Sequence, residues 1–203
     1  MSIGQMMVGS AAANGNARAR NVRRDGDFYP TPPECTIALL RAEETRMPMQ
    51  VWEPACGDGA MARVLQHYGR SVVETDLVDR GHGEHGKNFL FQTELRAPAI
   101  VTNPPFKLAA QFIEKAQALG AVYCAMLLKS TFFHAASRAG MFVRHRPARI
   151  YALTWRPDFL EQNAPTMECV WVVWDGTSAV THYDLLSHPH AARSAPMPLF
   201  CGV

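Results

Sequence analysis

Short apolar segments, several rich in β-branched residues, alternate with helix-length segments through most of this 203-residue chain. That alternation limits the fold more than any other feature. Strands are expected at residues 50–54, 71–77, 99–102, 121–128, 148–153 and 168–174. Helices are expected at 34–45, 60–68, 108–119 and 135–144. Ala109, Phe112, Ile113 and Ala116 fall at helical spacing. Residues 78–97, with Gly81, Gly83 and Gly86, read as irregular, with room for a short strand near Phe89. Strands alternating with helices of this length imply βαβ units and a mostly parallel sheet with helices on both faces. The last two strands have no helix-length segment between them, which suggests an antiparallel edge pair.

Composition bounds the rest. Apolar residues make up 48% and charged residues 19%, so wholesale disorder is excluded. No apolar run reaches the roughly 18 to 20 residues of a membrane-spanning helix. The first 20 residues lack the apolar stretch of a secretory signal. Five widely spaced cysteines with no CxxC pair suggest neither a zinc site nor a disulfide framework, and a reducing cytosol is the simplest home. Residues 1–24 carry Arg18, Arg20, Arg23 and Arg24 and no acid; residues 129–156 carry six basic residues and no acid. Two basic segments on an otherwise acidic chain suggest a polyanionic partner, although a solvated surface produces the same pattern. Three regions follow: a flexible basic arm at 1–24, a catalytic domain at 25–180 and a C-terminal tail at 181–203.

Two stretches carry chemistry. In Val51-Trp52-Glu53-Pro54-Ala55-Cys56-Gly57-Asp58-Gly59, a strand enters a small-residue turn ahead of a helix. Gly57 and Gly59 let backbone pass close to a ligand. Asp76, 19 residues after Gly57, stands near the spacing at which an acid accepts from ribose hydroxyls. The full G-x-G-x-x-G is absent, which argues against a plain NAD site. In Thr102-Asn103-Pro104-Pro105-Phe106, a buried-type strand ends where ligands of open α/β sheets sit. The prolines remove two donors, Asn103 adds a carbonyl, and Phe106 adds an aromatic face. Such a pocket accepts hydrogen bonds from a flat amine and stacks its ring. A rigid proline turn with no ligand is the alternative reading of that stretch alone.

Together these residues resemble the S-adenosylmethionine-dependent methyltransferases that modify exocyclic amines. Phe28-Tyr29-Pro30-Thr31-Pro32 is similar to the family's N-terminal cofactor motif, and Asn-Pro-Pro-Phe is typical of adenine N6 methylation. The resemblance covers about residues 25–175 and is nearest to small bacteriophage and prophage DNA adenine methyltransferases. It implies a Rossmann-like class I methyltransferase fold in a bacterial host's cytoplasm, with S-adenosyl-L-methionine as cofactor and no metal.

The resemblance also implies roles for residues. Tyr29, Thr31 and Pro32 would line the methionine end of the cofactor, with Thr31 near its carboxylate. Glu53, Pro54 and the backbone from Ala55 through Cys56 and Gly57 to Gly59 would hold the methionine amine and approach the ribose. Asp76 would accept from the ribose and Leu77 pack on the adenine. Asn88, before Phe89-Leu90, stands where the family often has an Asp for the cofactor's adenine amine. Asn103 and the Pro104 carbonyl would accept both hydrogens of the target amine, with Pro105 and Phe106 completing the pocket. Cys56 reads as a small turn residue, and His82-x-x-His85 as a surface loop.

A base in a duplex must be flipped out to reach such a pocket. Lys107, Lys129, Arg138, Arg144, Arg146 and Arg156 are the candidate phosphate contacts, supplying affinity more than sequence. No large recognition domain is evident, so short or relaxed sequence specificity is expected. The leading substrate is DNA adenine, with protection of phage DNA from host restriction as the benefit. The alternatives are RNA adenine N6 or guanine N2, a protein glutamine amide, and a non-catalytic cofactor- or nucleic-acid-binding protein.

Overall fold

The computed structural model describes residues 28–163, 165–176 and 179–190. The basic arm at 1–24 and the end of the tail from 191 lie outside them.

Seven strands form one sheet: β1 (Gln50–Glu53), β2 (Ser71–Glu74), β3 (Ala99–Thr102), β4 (Tyr123–Lys129), β5 (Arg149–Leu153), β6 (Cys169–Trp174) and β7 (His182–Leu186). Their spatial order is β2-β1-β3-β4-β6-β5-β7. Strand β6 runs antiparallel to both neighbours, and every other pairing is parallel. The mostly parallel sheet and the antiparallel pair near its edge are as expected. The edge position itself belongs to β7, which lies beyond β5. Ordered sheet thus continues past residue 180, into the stretch read as tail. In β7 four of five residues are exposed and only Leu186 is buried, so no apolar alternation marks it in the sequence.

Among the described residues four helices flank the sheet: α1 (Pro33–Ala42), α2 (Ala60–His67), α3 (Ala109–Ala118) and α4 (Ala139–Arg144). Proline opens α1, where its missing N–H has no intrahelical partner to lose. Helix α4 is shorter than expected, because Ala136–Arg138 forms a 3-10 turn ahead of it. Between β2 and β3 the described chain has a lone bridge, Thr75 to Glu84, and a 3-10 turn at Phe89–Phe91.

The strands alternate their side chains between two cores, as the pleat requires. Val51, Val101, Ala125, Leu127, Trp171 and Val173 face Leu39 of α1 and Met61 and Leu65 of α2. Trp52, Ile100, Met126, Leu128, Val170 and Val172 face Phe112 and Ile113 of α3 and Met141 of α4. The buried Trp171 indole donates to the Cys35 carbonyl at 2.9 Å, tying α1 to the sheet. The four described cysteines are free and buried.

One buried ionic cluster lies at the N-terminal end of β5. Glu43 is fully buried and accepts from Arg149 Nε at 2.6 Å, Arg149 Nη2 at 2.9 Å and the Tyr151 hydroxyl. Arg149 also pairs with Asp175 at 2.6 Å. Arg149 therefore clamps α1 to the sheet and does not contribute to a basic surface.

Candidate active site

Strands β1, β2 and β3 end side by side, and the turns that follow them meet over one cavity of about 240 Å³. Its wall contains Tyr29, Thr31, Glu53, Pro54, Ala55, Cys56, Asp76, Leu77, Asn88, Phe89, Asn103, Pro104, Pro105 and Phe106. The segment before α1 meets the end of β3 there, bringing together residues more than 70 apart in sequence. Three expected residues stand behind this wall. Pro32 lines an adjoining groove of about 800 Å³. Gly57 and Gly59 supply the turn, with φ of +57° and +81°, a region that favours glycine. A Cβ on Gly57 would overlap the Phe28 ring, and one on Gly59 the His82 ring.

The turn is held to the next strand. Asp76 Oδ2 accepts from the Gly57 N–H at 2.8 Å, and Oδ1 from the Val78 N–H at 2.8 Å. Each carboxylate oxygen retains a lone-pair site for a hydroxyl donor. Leu77 is 57% exposed beside it, an apolar surface with nothing packed on its outer side. Phe89 is buried, its ring edge-on to Trp52 at 5.2 Å.

Glu53 is 2% exposed, and its Oε2 has no hydrogen-bond partner. Burial, reinforced by the neighbouring Glu74 and Asp76 carboxylates, holds its carboxyl well above the usual range. An unpaired buried carboxylate in a cavity is poised for a cationic group. Cys56 is different. Burial and then the Glu53, Asp76 and Glu74 charges push its thiol up to about 12, so it stays protonated at neutral pH and is no nucleophile.

Asn103 has one satisfied end and one open end. Its Nδ2 donates to Thr31 Oγ1 at 3.1 Å and to the Tyr29 carbonyl at 3.4 Å. Its Oδ1 is buried with no partner. The Tyr29 and Phe106 rings stack at 5.9 Å, and Phe159 meets Tyr29 edge-on at 6.1 Å. The wall therefore offers an open acceptor next to aromatic faces.

The structure adds to several expectations. The Asn88 side-chain oxygen accepts from the Leu90 N–H at 3.0 Å, so it caps the 3-10 turn as well as lining the cavity. His82 is not a free surface residue: it pairs with Glu74 and packs behind Gly59. His85 is exposed, and no group of three metal-ligating side chains occurs among the described residues. Among the basic residues, Lys129 places its ammonium 4.4 Å over the Phe106 ring, at the cavity. Lys107 is exposed one residue beyond Phe106. Arg138 lies over the Phe132 ring and donates to the Phe132 carbonyl. Arg156 pairs with Glu168 at 2.7 Å.

Arg144 and Arg146 are at the wrong end of the sheet. They precede the first residue of β5, where the His145 carbonyl accepts from Trp174 at the end of antiparallel β6. Arg144 is also paired with Glu114 at 2.5 Å. A run of basic residues in sequence passes from one end of the sheet to the other, and so does not make one patch.

The cavity wall also contains residues given no individual role from sequence, among them Phe28, Arg80 and Lys87. Arg80 lies 4.1 Å over the Phe28 ring, and the pair covers the glycine turn. Phe28 opens the Phe28-Tyr29-Pro30-Thr31-Pro32 motif, which was its signal. Arg80 sits in an irregular loop and had none.

The strand order, the glycine turn after β1 and the acid after β2 define the fold of class I S-adenosylmethionine-dependent methyltransferases, and solved structures of that class match it. The type I restriction-modification system methyltransferase subunit from Streptococcus thermophilus aligns with a TM-score of 0.57 at 11% identity, over 77% of this chain and 47% of that one. A dimethyladenosine transferase from Plasmodium falciparum gives 0.54 at 12% identity, covering 73% and 63%. The 1,6-didemethyltoxoflavin-N1-methyltransferase from Burkholderia thailandensis, solved with S-adenosylhomocysteine, gives 0.50 at 13% identity, covering 72% and 78%. The chain thus spans about half the length of the restriction-modification subunit. No protein-family model and no curated protein matches the sequence. No helix among the described residues is long and apolar enough to cross a membrane.

Proposed function

We propose that this chain transfers a methyl group from S-adenosyl-L-methionine to the N6 amine of adenine in DNA. The observation that carries the reading is Asn103: its amide nitrogen is tied down while its oxygen stands buried and unpartnered at the cavity. A buried acceptor without a donor costs free energy unless a ligand supplies one.

The cavity's chemistry fits the cofactor. Glu53 supplies an uncompensated carboxyl for the methionine ammonium. Asp76 offers lone pairs to ribose hydroxyls, and Leu77 and Phe89 offer apolar faces to the adenine. When bound, the cofactor supplies an electrophilic methyl on a sulfonium. The chain's own residues then act on the acceptor. An aromatic amine is a weak nucleophile because its lone pair is delocalised into the ring. Accepting its hydrogens, by Asn103 Oδ1 and the Pro104 carbonyl, favours the pyramidal geometry that frees the lone pair. Phe106 and Tyr29 give the base an aromatic surface, which fixes its approach. Delivery of that base from a duplex requires flipping, and Lys129, over the Phe106 ring, and the exposed Lys107 are cations beside the cavity available to phosphates.

A second reading is methylation of adenine in RNA. Its support is a neighbour of the same fold named as a 23S rRNA methyltransferase, aligned at a TM-score of 0.54. A phage origin and protection from restriction belong to the DNA reading and rest on the sequence resemblance alone.

The test is transfer of labelled methyl to double-stranded DNA, single-stranded DNA and total RNA, with the product identified by nucleoside digestion. N6-methyl-2′-deoxyadenosine from DNA, reduced about a hundredfold or more by Asn103→Ala, is expected. Label in RNA alone moves the function to the second reading. No transfer to any of the three overturns both.

A further inference from the structure

Nothing in the sequence says which way round the Asn103 amide lies, yet the chemistry depends on it. An amide turned by 180° would present two N–H donors to an amine that is itself a donor. We infer that Thr31 is a positioning residue that anchors the Asn103 amide in the flip dictated by the Tyr29 carbonyl, a role distinct from the contact with the cofactor carboxylate expected from sequence; the inference rests on the proposed amine-methylating function.

Three observations carry it. Thr31 is 5% exposed and its Oγ1 takes the Asn103 N–H at 3.1 Å. The Tyr29 carbonyl takes the same nitrogen at 3.4 Å. A carbonyl can only accept, so the reversed amide would set Asn103 Oδ1 against Tyr29 O with no proton between them. A hydroxyl can donate or accept, so Thr31 adds hold on the amide while the Tyr29 carbonyl selects its orientation. Asn103 Oδ1 is left buried and unpartnered, the arrangement that an incoming amine N–H completes.

Local structure explains why this residue can do so. Thr31 lies between Pro30 and Pro32, and Pro33 opens α1. Proline fixes its own φ and restricts the residue before it to extended backbone, so the hydroxyl is held on a stiff segment. That stiffness lets a side chain 72 residues distant in sequence serve as a fixed reference for Asn103.

The test compares Thr31→Val, close in shape but without the acceptor, with Thr31→Ser, which keeps it. Two readouts are taken. One is the side-chain amide signal of Asn103 in a ¹⁵N-labelled protein without cofactor or nucleic acid, assigned by its loss in Asn103→Ala. The other is the single-turnover methyl-transfer rate at saturating S-adenosylmethionine, with cofactor affinity measured separately by calorimetry.

In the wild type and Thr31→Ser, the Asn103 amide protons are expected to exchange slowly with solvent. In Thr31→Val they should exchange about tenfold faster or more, in step with the lost hydrogen bond. The transfer rate should fall about tenfold in the valine variant and recover to within about threefold in the serine variant. Unchanged amide exchange in Thr31→Val overturns the inference. So does a valine variant that binds the cofactor more weakly yet turns over normally once saturated, which would make Thr31 a cofactor contact only. The amide signal is read without any substrate. A wild-type protein that fails to methylate DNA or RNA therefore counts against the proposed function and leaves the Thr31–Asn103 result to stand or fall separately.

Discussion

The ammonium of Lys129 stands 4.4 Å over the ring of Phe106, so the last residue of β4 and the aromatic residue after β3 share one edge of the cavity. Arg144, from the same basic run of sequence, is bound to Glu114 near the other end of the sheet. Lys129→Met should therefore weaken binding to a DNA oligonucleotide and reduce the salt-dependence slope by about one, as expected for one lost phosphate contact. Arg144→Ala should leave both within about twofold. Titrations at several salt concentrations decide it, and equal losses in the two variants would refute the assignment.

Glu53 gives a prediction with a defined sign. Its folded-state pKa lies above the unfolded value near 4.5, so the folded chain holds an extra proton between those two values. Stability therefore falls as pH rises through that window. Glu53→Gln removes the effect. Its melting temperature should exceed that of the wild type at pH 8, and the difference should vanish near pH 4.5. The same substitution should weaken S-adenosylmethionine binding about tenfold or more, because the carboxylate partner of the ammonium is gone. A variant less stable than wild type at pH 8 would contradict the account.

Asp76 joins the glycine turn to the end of β2 through two backbone N–H bonds. Asp76→Ala leaves the Gly57 N–H without its acceptor in a buried position, and should destabilise the protein by about 1 to 3 kcal/mol. Urea denaturation measures this directly. Asp76→Asn keeps an acceptor oxygen and should lose less stability, while cofactor affinity still falls.

The Glu43–Arg149 pair is predicted to matter more to stability than any ion pair at the cavity. Glu43 is fully buried, and Arg149→Met would strand its carboxylate. The expected loss is about 3 to 5 kcal/mol in chemical denaturation. By contrast, Arg156→Ala breaks an exposed pair with Glu168 and should cost about 1 kcal/mol or less.

The sequence was most legible where burial imposes a period. The six expected strands all appear because their side chains alternate between two cores, as Trp52 and Val51 do, and such alternation is written in residue type. The cavity wall was legible for a related reason: it hangs on strand ends, and the ends of β1 and β3 are marked by glycine and proline. What could not be read depends on tertiary placement. Strand β7 buries only Leu186, so its pattern is that of a loop. Arg149 reads as one more basic residue until Glu43 and Asp175, far apart in sequence, close around it. Asn88 reads as a cofactor ligand, and its hold on Leu90 depends on a turn that no periodicity announces.

Strand β6 also has a bearing on synthesis. It occupies the place between β4 and β5 although it is made after both. When a nascent chain has emerged only as far as Leu153, β4 and β5 have no strand between them to pair with, and the backbone edge of β4 is open beside Met126 and Leu128. Exposed edges of that kind invite pairing with other chains. Sealing the sheet waits for residues 169–174 to slot into the gap, so this sheet is completed from its interior and not from its edge.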